Sequence, residues 1–134
     1  MAYLAKVERH LIREKSLGVG TLAEMHSVYM PYYDNSDDSH NPHVAHGYSY
    51  HNGPEWVWLY GFYIAAKVNF QRDLLSKPKM LALLQNHVQY IANNEWLSLP
   101  ELTNVNGEPN HFSCQAQAWS VSSLLLALRS IETL

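Results

Sequence analysis

An all-α fold is predicted, with about four long helices joined by long loops, and three observations predict it. Apolar residues recur at helical spacing in four separate windows, and no window gives a convincing strand. Glycines, prolines and small polar residues fall at the edges of those windows, where helices start and stop. Windows that are apolar nearly all round alternate with windows that are apolar on one stripe, the rhythm of inner and outer helices in a toroid of helical hairpins.

The first helix is expected over residues 2–15. Leu4, Val7, Leu11 and Ile12 form one stripe opposite Lys6, Arg9, Arg13 and Glu14, and Gly18 and Gly20 end it. Residues 19–53 then read as a long irregular stretch, rich in Asp, Asn, His, Ser and Gly. A loop this long inside a compact domain is usually functional or disordered. Tyr29, Tyr32, Tyr33, Tyr48 and Tyr50, spread through it, argue for order.

Gly53-Pro54-Glu55 is expected to open a second helix running to about Arg72, with Pro54 pre-set for the first turn and Glu55 near the positive helix end. Trp56, Val57, Leu59, Phe62, Ile64 and Val68 make it apolar nearly all round, an inner helix, and Gly61 allows another backbone to approach it closely. A third, amphipathic helix is expected over 77–94, with Met80, Leu81, Leu84, Val88 and Ile91 inward. The loop WLSLPELTNVNGEPNHF follows, with a turn at Asn106-Gly107. Ser113 is the expected N-cap of the last helix, which carries Trp119, Val121, Leu124, Leu125, Leu128 and Ile131.

The chain has 134 residues, enough for one modest domain, with 47% hydrophobic and 16% charged residues and a net charge of −3. That balance argues against nucleic acid and against an anionic membrane surface as partners. The single cysteine, Cys114, excludes a disulfide within the chain and fits a reducing compartment. The N-terminal residues lack the apolar core of a signal peptide, and no stretch approaches the ~20 apolar residues of a membrane span. A cytoplasmic location is the expectation. The 9 Tyr and 4 Trp, many beside turns, suit a polar ring-shaped ligand, since each offers a flat apolar face and a hydrogen-bonding tip.

Two segments carry candidate chemistry, and both lie where a loop enters an inner helix. One is Tyr50-His51-Asn52-Gly53-Pro54-Glu55-Trp56; the other is Leu99-Pro100-Glu101-Leu102-Thr103-Asn104 with Phe112 to Ser120. Parallel inner helices would open both onto one cleft. Hydrolysis of a glycoside needs an acid for the leaving oxygen and a base or nucleophile across the anomeric carbon, and Glu101 and Glu55 are the candidate carboxyls. Glu101 is the stronger candidate for a base. It stands in a proline-stiffened loop near the start of the last helix, whose dipole favours the ionised form. Set against these are an ordinary exposed loop glutamate for Glu101 and a first-turn glutamate that only stabilises a helix start for Glu55.

The runs YHNGPEWVW, LPELTN and FSCQAQAWSVSSLLLAL, in this order and spacing, resemble the C-terminal end of the α-1,6-glucosidase domain of eukaryotic-type glycogen debranching enzymes, as do VERHL and the segment from Tyr33-Asp34-Asn35 to Ala45-His46-Gly47. The resemblance covers nearly the whole chain. It implies that residues 1–134 are the C-terminal segment of an (α/α)6 toroid that hydrolyses α-1,6-linked glucose stubs with inversion, without metal or cofactor. It makes Glu101 the general base and puts Asp34, Asn35, Tyr50, His51, Glu55, Trp56, Gln117 and Trp119 at the glucose site or in its support. The implied partners are glycogen or limit dextrin and the absent upstream parts of the glucosidase and transferase domains.

The general acid of that family lies upstream of the matched segment, and four helices cannot close an (α/α)6 ring, so the isolated chain is expected to be inactive. Two other readings stand beside this one. His40, His43 and His46, near Asp34, Asp37 and Asp38, have the types but not a diagnostic spacing for a metal site. The aromatic residues could also hold a glycan without cleaving it.

Overall fold

The computed structural model describes residues 2–134. Five α-helices and a three-stranded sheet make up the fold among these residues: α1 (Ala2–Leu11), β1 (Val19–Gly20), β2 (Glu55–Trp56), α2 (Trp58–Gln71), α3 (Lys77–Ala82), α4 (Gln85–Asn93), β3 (Leu102–Thr103) and α5 (Ala118–Glu132). Short 3-10 turns cover Ala45–His51, Arg72–Leu74 and Val105–Gly107. The helical class is as expected, but the sheet corrects the all-α reading, and the closed toroid is not seen in this one segment.

The strands run in the order β1-β2-β3, antiparallel throughout, with Val19 opposite Trp56, Gly20 opposite Glu55, Glu55 opposite Thr103 and Trp56 opposite Leu102. Each strand has two residues, too few for an alternating pattern to register in the sequence. The strands exist because tertiary partners supply them. Val57 N–H donates to Glu101 C=O at 3.1 Å and extends the β2–β3 ladder by one rung.

Helix boundaries shift accordingly. The first helix stops at Leu11, short of the expected residue 15, because Ser16 turns the chain: its Oγ accepts from Arg13 N–H at 2.8 Å. Glu55 is not in the first turn of a helix; it belongs to β2, and α2 starts at Trp58. The expected 77–94 helix is broken at Leu83–Leu84. The Leu83 and Leu84 N–H groups turn back to Met80 and Leu81 at three-residue spacing, and the Leu83 carbonyl accepts from the Tyr60 hydroxyl at 3.3 Å. Ser113 caps nothing. Its hydroxyl donates to Leu102 C=O, and α5 starts five residues later at Ala118.

α2 and α5 pack more extensively than any other pair of elements. At their crossing a Cβ on Gly61 would stand 2.0 Å from the Ser123 carbonyl oxygen, so only glycine permits the approach. Gly61 N–H donates to Ser123 Oγ at 3.1 Å, and that hydroxyl donates to Trp58 C=O at 2.5 Å, which closes the contact. Tyr60, Tyr63, Ile64, Val68, Met80, Leu84, Ala127 and Ile131 form the main core, with α1 against it through Leu4, Val7, Leu11 and Ile12. Leu17, Val57 and Leu99 form a second, smaller cluster. Glu8 of α1 ties to α2 through Lys67 and the Tyr63 hydroxyl. α2 is not buried all round, because Phe62 and Phe70 face outward, as do Leu125 and Leu126 of α5. From α3 to α4 the inward residues are Met80, Leu84 at the break, and His87, while Leu81 and Val88 are exposed.

Candidate active site

The two carboxyls singled out in the sequence have different surroundings. Glu55 is 2% exposed and both its oxygens are engaged. Oε1 accepts from Ser16 Oγ (2.6 Å) and Asn106 N–H (2.8 Å); Oε2 accepts from Gly107 N–H (3.1 Å) and Thr103 Oγ1 (3.2 Å). Burial pushes its carboxyl above the usual range, and the four hydrogen bonds pull the other way. Those donors come from the segment after α1, from β3 and from the turn after it. Asn106 and Gly107 reach the carboxylate because both have left-handed backbones, φ 60° and 73°, and a Cβ on Gly107 would strike the Lys15 carbonyl oxygen at 2.2 Å. Glu55 thus joins three segments inside the fold.

Glu101 is partly exposed and stands at the head of β3. Its backbone is held on both sides: N–H to Cys114 C=O at 2.8 Å, and C=O from Val57 N–H at 3.1 Å. Pro100, before it, is fixed by Ser120 Oγ donating to the Pro100 carbonyl at 2.7 Å. The carboxylate accepts from the Gln117 side-chain amide at 3.4 Å, and Gln117 is the residue from which α5 departs. The Tyr50 phenol faces the same carboxylate. Burial first, then the hydrogen bond and the charge of Glu101, raise the Tyr50 pKa, so that the phenol remains a donor.

Tyr50 also begins an aromatic wall. Its ring lies 4.8 Å from Tyr33, 4.8 Å from His51 and 4.7 Å from Trp56, and His51 stacks on Trp56 at 5.1 Å with 15° between planes. The Trp56 indole N–H donates to Tyr50 C=O at 3.0 Å. Trp119 lies 6.1 Å from Trp56 and 6.3 Å from Trp58, and is 47% exposed. Tyr33 is clamped through its backbone. Its N–H donates to Asn104 Oδ1 at 3.1 Å, and its C=O accepts from Asn110 Nδ2 at 2.7 Å; the same Asn110 amide donates to Asn104 Oδ1 at 2.7 Å.

The fold therefore gathers Glu101, Tyr50, His51, Trp56, Gln117 and Trp119 in one neighbourhood. Asp34 and Asn35 follow Tyr33 on its rim. The Asp34 carboxylate accepts from Ser36 N–H and Oγ at 2.8 and 2.7 Å, a local turn, and Asn35 is exposed. Glu55 is one residue from Trp56 in sequence, yet its carboxylate is spent on the interior. Sequence reasoning missed Ser16 and Asn110, which hold Glu55 and Tyr33, and gave no such role to Thr103, which lies in a segment already singled out. Asn104 lies within a motif already singled out, whereas Ser16 and Asn110 carry no local signal. A cavity of about 370 Å³ adjoins this neighbourhood through Trp119 and Trp58, whereas one of about 740 Å³ shares no lining residue with it.

His40, His43 and His46 are all exposed. Among the described residues no group of three or more His, Cys, Asp or Glu side chains converges as a metal site. No helix among them is long and apolar enough to cross a membrane.

An arrangement of one half-exposed carboxylate, a phenol, an amide and a wall of indole and phenol rings can hold a sugar ring and orient a water against it. Residues 1–126 match the family model described as amylo-alpha-1,6-glucosidase. The chain is also similar to the glycogen debranching enzyme of Saccharomyces cerevisiae, with 37% identity over 123 residues, covering 81% of this chain. It spans only 8% of that relative's length. The chain belongs to the amylo-α-1,6-glucosidase family, the glycogen-debranching glycoside hydrolases.

Proposed function

We propose that this chain carries the general-base side of an inverting α-1,6-glucosidase site acting on the glucose stubs of glycogen or limit dextrin. The observation that supports it most is the setting of Glu101. Its main chain is fixed at both ends, and its carboxylate meets Tyr50 and Gln117 beside the Trp56–His51 stack. In the mechanism, Glu101 takes a proton from water as that water attacks the anomeric carbon. Tyr50 and Gln117 hold the carboxylate in one orientation, and Trp56, His51 and Trp119 offer ring faces to the sugar. Asp34 and Asn35 bind at the rim. Glu55 acts at one remove, by fixing the strand that carries Trp56.

An inverting enzyme needs a second carboxyl roughly 6.5–9.5 Å from the base, as the acid. Glu55 is a poor source for it, because both of its oxygens are engaged inside the fold. The acid is therefore assigned to the part of the domain beyond this segment, in keeping with the 8% of the relative that the chain spans. The outward side chains Phe62, Leu125 and Leu126 give that missing part of the toroid a surface to pack on. Cys114, a free and exposed thiol, suits a cytoplasmic setting.

Two assays test the assignment. The isolated chain should release no glucose from limit dextrin. In a longer chain that includes the acid, Glu101→Gln should lower kcat by roughly 10²–10⁴-fold with little change in KM, the effect of removing an acid–base group. A smaller loss than tenfold would remove Glu101 from the role.

A further inference from the structure

The 740 Å³ cavity shares no lining residue with the Trp56 stack, and its lining includes Gln89, Tyr90, Asn93, Trp96, His111 and Gln115. Its volume is in the roughly 300–1,000 Å³ range of small-ligand sites. Trp96 is 57% exposed, and it is held there by a built turn. The Asn94 side chain donates to Tyr90 C=O (2.6 Å) and Ser98 C=O (2.9 Å) and accepts from Trp96 N–H (3.0 Å). The next residue, Leu97, has φ 47°, a left-handed backbone that a branched side chain enters only at a cost. Such strain, of order 1–3 kcal/mol, persists where surrounding structure enforces it, and it gathers at binding sites. Here three hydrogen bonds and a strained leucine present an indole to solvent.

Amides surround that indole. Asn93 and Gln115 donate their N–H groups to backbone carbonyls, which leaves their side-chain oxygens as acceptors facing outward from the fold's own network, and Gln89 keeps its whole amide. One cation and one anion, Lys15 and Glu95, are also in the lining and balance each other. Neutral amide acceptors and donors around a flat apolar ring recognise a neutral polyhydroxylated ligand, and nothing in the lining selects a net charge.

We propose that this hollow is a second glucan-binding site, with Trp96 as its stacking platform and Gln89, Asn93 and Gln115 as its hydroxyl partners. The lining argues for a neutral oligosaccharide; the choice of an α-linked glucan rests on the proposed function. On a branched polymer two sites on one chain raise the effective concentration of the second contact. The 104–117 loop links them, because Asn104 supports Tyr33 at one side while His111 and Gln115 line the hollow at the other.

The 4 Trp indole N–H signals separate the two sites by NMR. Titration of the 134-residue chain with maltoheptaose should shift the Trp96 signal saturably. Trp96→Ala should weaken that binding roughly tenfold, read from Tyr90 and His111 resonances. Gln89→Ala, at an exposed position, should weaken it too. Glu101→Gln and Tyr50→Ala should leave it unchanged. A titration that moves Trp56 and Trp119 but never Trp96 would overturn the second site and leave the glucosidase reading standing. Saturation at Trp96 with no response at Trp56 or Trp119 would do the reverse. A flat response at Trp96, or binding indifferent to both variants, rejects the proposal outright.

Discussion

Glu55 and Glu101 make a controlled comparison, because one fold holds both in opposite surroundings, one carboxylate buried and fully engaged, the other partly exposed. Replacing Glu55 with Ala withdraws the acceptor from four donors at once: two hydroxyls, Ser16 and Thr103, and two backbone N–H groups, Asn106 and Gly107. The hydroxyls can rotate to other acceptors, so each loses about 0.5–1 kcal/mol. The backbone N–H groups cannot rotate, and each costs about 1–2 kcal/mol if left unpaired in a half-buried turn. Removing a carboxylate whose burial is itself unfavourable returns roughly 1 kcal/mol. The net expectation is a loss of about 3 kcal/mol, a third or more of a small domain's stability.

Glu55→Gln sharpens the comparison. Each carboxylate oxygen accepts from one hydroxyl and one backbone N–H, so whichever oxygen becomes an NH₂ meets a main-chain N–H head on. That variant should lose about 1–2 kcal/mol despite its matched shape. Glu101→Gln keeps its backbone bonds and should stay within about 0.5 kcal/mol of the parent. Urea unfolding followed by tryptophan fluorescence reads all three, with the slope checked for constancy. If Glu55→Ala falls by less than 1 kcal/mol, or by no more than Glu101→Gln, Glu55 is not the internal tie described here.

Three further outcomes follow from the geometry. Gly61→Ala would normally favour a helix, but a Cβ lies 2.0 Å from the Ser123 carbonyl, so the thermal midpoint should fall, with a loss of roughly 3 kcal/mol or more, where a rise would mean that α2 and α5 are farther apart. His87 is buried with Nε2 at 2.7 Å from Leu17 C=O and Nδ1 unpartnered, and burial lowers its pKa from 6.5 to about 4. Its contribution is therefore complete above pH 6.5 and declines as the pH falls towards 4, by roughly 3 kcal/mol in all. Glu55, with its raised pKa, slopes the opposite way over an overlapping range, so the His87 effect is read as the difference between parent and His87→Gln urea midpoints at each pH; parallel curves would refute it. Asn110→Ala frees the Tyr33 carbonyl and Asn104 together and should cost about 2 kcal/mol in unfolding experiments while loosening the Tyr33–Tyr50 pair, seen as sharpened ring signals in NMR; unchanged stability would mean that the clamp is dispensable.

What could be read in advance, and what could not, divides along sequence distance. The helical stretch of α2, the glycine at 61 that admits a close approach and the turn at Asn106-Gly107 are written in neighbouring residues, and the structure has all three, though α2 is not buried all round. The sheet is a property of residues 35 to 48 positions apart, in strands of two residues, and no local pattern carries it. The same division explains Glu55. Proline before it and an apolar run after it read as a helix start, while the decisive donors, Ser16, Thr103, Asn106 and Gly107, lie 39 to 52 residues away. The break at Leu83–Leu84 has a similar origin, since the carbonyl released there bonds to Tyr60 on another helix.

This has a consequence for motifs such as YHNGPEW and LPELTN. LPELTN holds one residue at the aromatic site, Glu101, and several whose bonds face inward, Pro100 to Ser120, Thr103 to Glu55 and Asn104 to Tyr33, while YHNGPEW divides between Tyr50, His51 and Trp56 at that site and Glu55 in the core. The LPELTN run is thus mostly a record of how one carboxylate is held. If Glu101 is the base, an error of about 1 Å in its placement is enough to lose about two orders of magnitude in rate. The four-donor tie at Glu55 and the paired backbone bonds of Glu101 are then two ends of one requirement: β2 and β3 must not slide. A variant that weakens the tie without touching Glu101, such as Thr103→Val, should in the longer chain lower kcat more than it raises KM. A change in KM alone would place the tie outside catalysis.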